Sequence, residues 1–577
     1  MISLFKKYLD KLKYVVLLIV FLVFIQSTLE LFLPNIMAGI IDNGIVKKDM
    51  GFIKLEALRI LIIISIALSV SGTAAFLASK VAIKFGQNVR RAVFTKVQTF
   101  SAKEFDKFGV ASLVTRTTND ITQIQTTTLF ILRMMILGPM TIISGLIIAT
   151  YTDFKLSMIL YVSIPILILF VVFIGFKTIR RFSEIQFRLD KVNLISRENL
   201  TGIRVIRAFN KQKYEEKRFD NANRNLTDFT IRTYKIFASL MPFMMLVFYL
   251  NSVAVLWFGS KRISTGNFMV GDLIAFIQYS NQIMVALITF FMLFGMIPKA
   301  ISSAKRINQV LNTEVSINDL KEVKEIDKNQ KASLKFKNVS LSYNDSNEYD
   351  VENIDFECKA GETVAIIGGT GSGKSTILNL ISRFYDVSSG EIIFNGLNIK
   401  DITQKELREQ IGYVPQKSVL FSGTIRSNLC YGKENVTDEE LMEALKIAQA
   451  YEFVTNLESG LDSPVAQGGT NFSGGQKQRL SIARALVRKA SIYLFDDSFS
   501  ALDFKTDAKL RAALKEKITD AIIIIVGQRV SSIMNADKIL VLDNGKVVGM
   551  GTHRELLQNC EVYQEIAKSQ LSEEELA

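Results

Sequence analysis

The residues with the clearest chemistry form one run, Gly368-Gly-Thr-Gly-Ser-Gly-Lys-Ser-Thr376. It fits G-x-x-x-x-G-K-[ST], with Gly368 opening, Gly373 and Lys374 in register and Ser375 closing the pattern. Its glycines (Gly368, Gly369, Gly371, Gly373), together with Thr370 and Ser372, let successive backbone N–H groups turn inward onto an anion. Lys374 can reach β- and γ-phosphates and the Ser375 hydroxyl can bind Mg²⁺. Farther on, Ser491-Ile-Tyr-Leu-Phe-Asp-Asp497 ends an apolar run on two carboxylates, of which Asp496 can hold Mg²⁺ directly or through water. A nucleoside triphosphate with Mg²⁺ satisfies both groups.

Such a loop must be held between a strand and a helix. Thr363-Val-Ala-Ile-Ile367 is a short β-branched run that predicts a buried strand. From Thr376 an apolar stripe (Ile377, Leu378, Leu380, Ile381) predicts a helix, whose positive N-terminal end faces the anion.

A chain of 577 residues holds more than one domain, and 49% hydrophobic content with 22% charged residues predicts a membrane half joined to a water-exposed half. The net charge of +13 would suit nucleic acid, but basic loops flanking membrane helices explain it more simply, and no nucleic-acid partner is expected. Cys358, Cys430 and Cys560 form no C-x-x-C pair and read as reduced thiols. The N-terminal run after Lys13 carries no small-x-small cleavage site and reads as a retained membrane helix rather than a signal peptide.

Six apolar segments precede residue 300, at roughly 14–37, 57–80, 128–150, 156–177, 237–259 and 271–298. Each is near the ~20 residues that cross a bilayer. The connections at about 81–127 and 178–236 are long, polar and helically periodic, so their helices should continue well beyond the membrane. Arg90, Arg91, Lys96, Arg116, Arg180, Arg181, Arg188, Arg204 and Arg207 crowd them, which places these loops and both termini in the cytoplasm. Trp257 then falls at the outer interface. Pro139, Pro165 and Pro242 sit inside spans, with Pro34 and Pro298 near ends. Glu30, Arg133, Asn251, Gln278, Asn281 and Gln282 either line a translocation cavity or hydrogen-bond between helices. Met241, Met244 and Met245 suit an adaptable ligand wall or simple packing. The domains are therefore 1–311, a helical membrane domain; 312–331, a charged linker; and 332–577, an α/β nucleotide-binding domain. In the last, Ser333–Tyr343 alternates as a half-buried strand and Asn544-Gly545 turns a hairpin.

Between the two phosphate-site stretches lie Gln416, after Tyr413-Val-Pro415, and Phe472-Ser-Gly-Gly-Gln-Lys-Gln-Arg-Leu480. Here the sequence resembles an ATP-binding cassette (ABC) transporter subunit over its full length. Phe472, Ser473, Gly474, Gly475 and Gln476 resemble the signature motif, Ser500-Ala-Leu-Asp503 the D-loop, Gln416 the Q-loop glutamine and metal contact, and Tyr343 the aromatic that stacks on adenine. Six helices followed by one cassette, with Thr115–Asp120 and Gly202–Phe209 in the long loops, is similar to an exporter half-transporter. The resemblance implies ATP and Mg²⁺ as cofactors. It also implies a second half-transporter as partner, since the Ser473-capped helix Gly474–Arg488 faces the partner's γ-phosphate. The remaining implications are membrane lipids, a small hydrophobic or amphipathic cargo and a multi-pass location in the cytoplasmic (inner) membrane. Segments near Phe105–Leu113 and Ala208–Tyr214 are expected to dock on cassettes as coupling helices.

The departures from the family pattern are informative. Members that hydrolyse well carry Glu where this chain has Asp497, and His where it has Gln528; Gln467 likewise stands in for an acid. The one histidine, His553, lies elsewhere and reads as a routine surface residue. With Asp497, Gln528 and Gln416 as the catalytic set, the chain resembles the degenerate-site subunit of a bacterial heterodimeric multidrug exporter, weak as an ATPase on its own. The alternatives are a homodimeric exporter or lipid flippase with an Asp-based site, a peptide-secretion subunit, and an ATP-binding gating protein; no N-terminal peptidase segment precedes the first span. The six spans exclude a soluble DNA-repair ATPase.

Overall fold

The computed structural model describes residues 1–571 except 267, 295, 321–322, 328–329 and 344–347, with the backbone alone at 179, 180, 183 and 292–294. The Arg180 side chain and part of the 312–331 linker therefore lie outside the described residues. The chain forms two compact units: Met1–Gln98 with Ala111–Thr313, and Thr99–Val110 with Glu314–Ala577.

The first unit is helical, and among the described residues six helical segments are long and apolar enough to cross a membrane: Asp10–Ile45, Met50–Gln98, Val110–Thr152, Phe154–Thr178, Gln212–Ser264 and Val270–Phe291. The second span belongs to a helix of 49 residues and the fourth to one of 48, Phe154–Thr201. At ~1.5 Å per residue each is about 73 Å long, more than twice a ~30 Å hydrocarbon core. Small residues bring the spans together: a Cβ on Gly145 would strike Ile283 at 2.7 Å. Pro139 and Pro165 sit inside helices as expected. Pro242 does not. The chain breaks at Ser239 and Pro242 lies in the first turn of Leu240–Ser264, where no intrahelical N–H is lost. Pro34 is interior to Lys13–Gly39, and Pro298 starts the helix Ile297–Leu311 that follows the last span.

Asn251 is buried and joins two neighbours, accepting from Ser163 Oγ at 3.2 Å and donating to Ser280. These bonds join helices, and Ser163 and Asn251 also line the groove between the fourth and fifth spans. The Asn281 Oδ1 and Gln282 Oε1 atoms are buried without a hydrogen-bond partner among the described residues. Met244 is buried, whereas Met241 and Met245 are exposed.

The second unit contains twelve strands among the described residues. They are β1 Ser333–Leu341, β2 Val351–Lys359, β3 Thr363–Gly368, β4 Ser389–Phe394, β5 Leu397–Asn398, β6 Ile411–Val414, β7 Gly423–Thr424, β8 Pro464–Val465, β9 Ile492–Asp496, β10 Ile522–Val526, β11 Lys538–Asp543 and β12 Lys546–Gly551. An antiparallel sheet runs β2-β1-β4-β5, and the larger sheet runs β12-β11-β3-β10-β9-β6. In the larger sheet β11, β3, β10, β9 and β6 are parallel. β9 and β10 are buried along their whole length, as continuous apolar runs in a covered parallel sheet should be. β1 alternates at its start, and β11–β12 close on Asn544 (φ 45°) and Gly545 (φ 79°), the left-handed pair of a tight hairpin.

Candidate functional site

The parallel register sets four strand ends along one edge, where α/β sheets bind ligands. β3 ends in Gly368, β9 in Asp496, β10 at Val526 ahead of Gln528, and β6 at Val414 ahead of Gln416. Val526 pairs with both Ile366 and Asp496. Residues up to 158 positions apart in sequence, Gly368 to Val526, thus meet because four strands end together.

The loop from Gly368 to Gly373 leads into the helix Lys374–Ile381. Gly373 sits at φ 93°, and a Cβ there would also strike the Val351 side chain, so only glycine fits. Lys374 Nζ donates to the carbonyls of Gly368 at 2.9 Å and Gly369 at 2.6 Å. Burial pulls its pKa down, against Asp497 and Asp496, which push it up. Ser372 Oγ is buried with no partner among the described residues, and nothing stands within 4 Å of a Cβ at Gly369 or Gly371. An ammonium satisfied only by its own loop, an orphaned hydroxyl and an open glycine backbone fit a polyphosphate.

Ser375 Oγ donates to Asp496 Oδ1 at 2.9 Å. Asp496 is 6% exposed. Burial raises its pKa, as does Asp497, while Ser375 and Lys374 lower it; the net shift is upward. A hydroxyl and a carboxylate side by side are hard oxygen donors that fit Mg²⁺ shared with phosphates.

Asp497, expected from the sequence to be one of the catalytic residues, meets the other two, Gln416 and Gln528. Its backbone is left-handed, φ 46°, and its N–H is tied to Val526 O at 3.1 Å. Its Oδ2 accepts from Gln528 Nε2 at 2.8 Å and from Gln416 Nε2 at 3.4 Å. Gln416 therefore turns its amide towards Asp497, not towards the Ser375–Asp496 pair.

Tyr343 donates its phenol to Thr376 Oγ1 at 3.0 Å and sets its ring at 79° to Tyr385, 4.7 Å away. Tyr385 in turn donates to Asp106 on the short helix Ala102–Phe108. Burial and then Asp106 push the Tyr385 pKa upward, so the phenol keeps its proton. On the same helix Glu104 Oε1 accepts from Ser316 N at 3.2 Å. The sequence motifs gave no sign of Tyr385. Asp106 falls in the segment near Phe105–Leu113 expected to form a coupling helix, but the helix lies earlier, at Ala102–Phe108, where Ser101-x-x-Glu104 forms a capping box.

Phe472–Gln476 starts another helix, Gly474–Leu486, two residues shorter than expected. Ser473 N donates to Gln476 Oε1 at 2.9 Å and Ser473 Oγ accepts from Gln476 N at 3.3 Å. Phe472 packs on the core while Ser473 and Gly474 are exposed. No hydrogen bond among the described residues joins this stretch to Gly368–Thr376. Asp503 caps the helix after Ser500–Asp503, accepting from Thr506 N at 2.9 Å. His553 is half-buried rather than a plain surface residue, its Nδ1 2.6 Å from Tyr563 Oη.

Residues 16–287 match the ABC transporter transmembrane region and residues 351–500 the ABC transporter family. The chain is 39% identical over 549 residues to the uncharacterised ABC transporter ATP-binding protein YfiB of Bacillus subtilis (strain 168), covering 95% of each. This chain belongs to the ABC transporter family. It is also 37% identical over 577 residues to the uncharacterised ABC transporter ATP-binding protein Mb1304c of Mycobacterium bovis, covering 99% of this chain and 98% of the other. The solved structure of a bacterial Atm1-family ABC exporter with ATP bound is similar at a TM-score of 0.81 and 25% identity, over 97% of this chain and 99% of that one. A six-helix membrane domain fused to one ABC ATPase domain makes this transporter chain an exporter-type half-transporter. It is a multi-pass membrane protein that binds ATP and couples ATP hydrolysis to transport.

Proposed function

We propose that this ABC transporter chain is the degenerate-site half of a heterodimeric exporter of hydrophobic or amphipathic compounds in the cytoplasmic membrane. The observation that carries the reading is the double amide contact on Asp497: one carboxylate oxygen accepts from Gln528 and faces Gln416. A group that positions and activates water must offer a free lone pair at the right reach. Asp497 is one methylene shorter than the glutamate of well-hydrolysing relatives, and a glutamine cannot carry a proton charge.

On this reading Gly368–Thr376 cradles the phosphates, Lys374 exchanges its loop carbonyls for them, and Tyr343 offers its ring to adenine. Ser375 and Asp496 would hold Mg²⁺, which would supply positive charge against the phosphates. The exposed Ser473–Gly474 helix start completes the partner's competent site. Cassette closure is passed to the membrane domain through Ala102–Phe108 and the segment near Phe209. The basic long loops support a cytoplasmic position for the cassette and both termini.

The test is ATP turnover of this chain alone in lipid, beside the complex with its captured partner. Negligible turnover alone with about 1 s⁻¹ or more in the complex supports the heterodimer; full turnover alone replaces it with a homodimeric exporter. Stimulation of the complex by lipophilic cations tests the cargo class.

A further inference from the structure

The fourth and fifth spans enclose an apolar groove of about 790 Å³ between Lys155–Ile166 on one wall and Phe243–Arg262 on the other. Ile159, Val162, Ile166, Val247 and Leu250 supply its hydrocarbon surface. Its charge is gathered at one end. Lys155 lies in the first turn of its helix, and Lys261 and Arg262 in the last turn of theirs. Among the described residues Asp153 is the one carboxylate paired with these cations, and Arg262 Nη2 takes it in an ion pair at 2.5 Å. Lys261 Nζ lies 5.3 Å over the Trp257 ring, and Lys155 makes no ion pair or hydrogen bond among the described residues. The Arg262 Nε–H is buried at the same end with no acceptor among the described residues.

Three cations face one carboxylate, so the end carries net positive charge and an unmet donor. Eleven residues of helix separate Lys155 from Ile166, about 16 Å at ~1.5 Å per residue. That matches one leaflet, half of a ~30 Å hydrocarbon core. The cations and Trp257 stand at the depth of lipid headgroups, where amphipathic rings collect. We infer that the groove binds one anionic bilayer phospholipid, its phosphodiester on Lys155 and Lys261 and an acyl chain along Val162 and Leu250. A zwitterionic lipid fills the same space but brings a cation of its own to a cationic end.

The test uses the full chain in its purified complex, with native mass spectrometry against phosphatidylglycerol and phosphatidylcholine of identical chains. Phosphatidylglycerol should bind more tightly. Each surface lysine is worth about fivefold for an anionic headgroup, so the Lys155→Gln/Lys261→Gln pair should weaken phosphatidylglycerol about 25-fold and leave phosphatidylcholine unchanged. Val162→Phe, which fills the groove without touching a charge, should weaken both lipids; partner capture and basal ATPase serve as folding controls. Equal binding of the two lipids, or a preference that survives the double lysine variant, overturns the inference. So does failure of brominated lipid to quench a lone tryptophan placed by Val162→Trp with Trp257→Phe, which would show a partner helix in the groove. Loss of the bound lipid on ATP turnover would also overturn it, by making that molecule transported cargo.

Discussion

Lengthening Asp497 by one methylene is the most direct probe of the nucleotide site. The carboxylate now stops at the Gln528 amide, 2.8 Å from Nε2, on a backbone fixed at φ 46° and tied to Val526 O. Asp497→Glu carries the carboxylate about 1.5 Å farther, one C–C bond. Misplacing a catalytic group by about 1 Å costs on the order of 10²-fold, so turnover at this chain's own site should rise by about that factor. Gln528→His alone should do little while the carboxylate is short. Added to Asp497→Glu it should give a further gain at the lower end of the 10²–10⁴ that a positioned acid or base provides. The assay is phosphate release by the complex in lipid, with the partner's phosphate-loop lysine replaced so that only this chain's loop turns over. No gain from Asp497→Glu would refute the argument that reach limits the site. A wild-type rate near 1 s⁻¹ in that background would refute the degenerate reading itself.

Ser473→Ala removes the cap of Gly474–Leu486 and should cost about 1 kcal/mol of local stability. It should lower turnover of the complex while leaving nucleotide binding to this chain's loop intact, as read with a fluorescent ATP analogue. Tyr385→Phe deletes the bond to Asp106, worth about 1 kcal/mol. Basal ATPase should persist while transport in vesicles falls several-fold, and unchanged transport would count against a coupling role. Phe209, 71% exposed, should behave alike: Phe209→Ala is expected to keep ATPase and lose its stimulation by cargo. His553 supplies a pH dependence. Burial, and then Arg554, hold its pKa below 6.5, so the fold favours the neutral ring. Its contribution is present above pH 6.5 and is lost as pH falls through the lower folded value. Cassette melting temperature should therefore drop between about pH 7.5 and 5.5, less so in His553→Asn.

Local pattern made much of this legible. The phosphate loop, β3, β9 and the Asn544-Gly545 hairpin each declare themselves within a dozen residues, through period, β-branching or a glycine that must be left-handed. The six spans are legible for the same reason. Contact partners are not. Gln416 and Gln528 stand 81 and 31 positions from Asp497, and only the shared strand edge brings them to one oxygen. The fate of Thr99–Val110, which belongs with the cassette unit rather than with the helices on either side of it, depends on tertiary contacts such as Tyr385–Asp106. Pro242 misleads because hydropathy runs through Ser239 without a break. The Asn251 partners, Ser163 and Ser280, lie 88 and 29 positions away and are equally invisible to local pattern.

On the proposed reading the nucleotide site keeps its binding and coupling parts while its catalytic part departs from the pattern that the family resemblance implies. Thr376 follows the phosphate-loop lysine by two residues and is the partner of the Tyr343 phenol. Tyr343 packs edge-on against Tyr385, and Tyr385 holds Asp106 on the helix Ala102–Phe108. An adenine ring brought onto Tyr343 therefore presses on a wall that is one hydrogen bond away from that helix. Nothing in this path passes through Asp497. Occupancy of the site can then be felt at Ala102–Phe108 whether or not the nucleotide is cleaved, which is what a subunit that holds ATP while its partner turns over requires. A subunit retained for binding loses nothing when its carboxylate shortens. A subunit that had lost both functions would have no reason to keep the Thr376–Tyr343–Tyr385–Asp106 connection alongside Lys374 and Ser375.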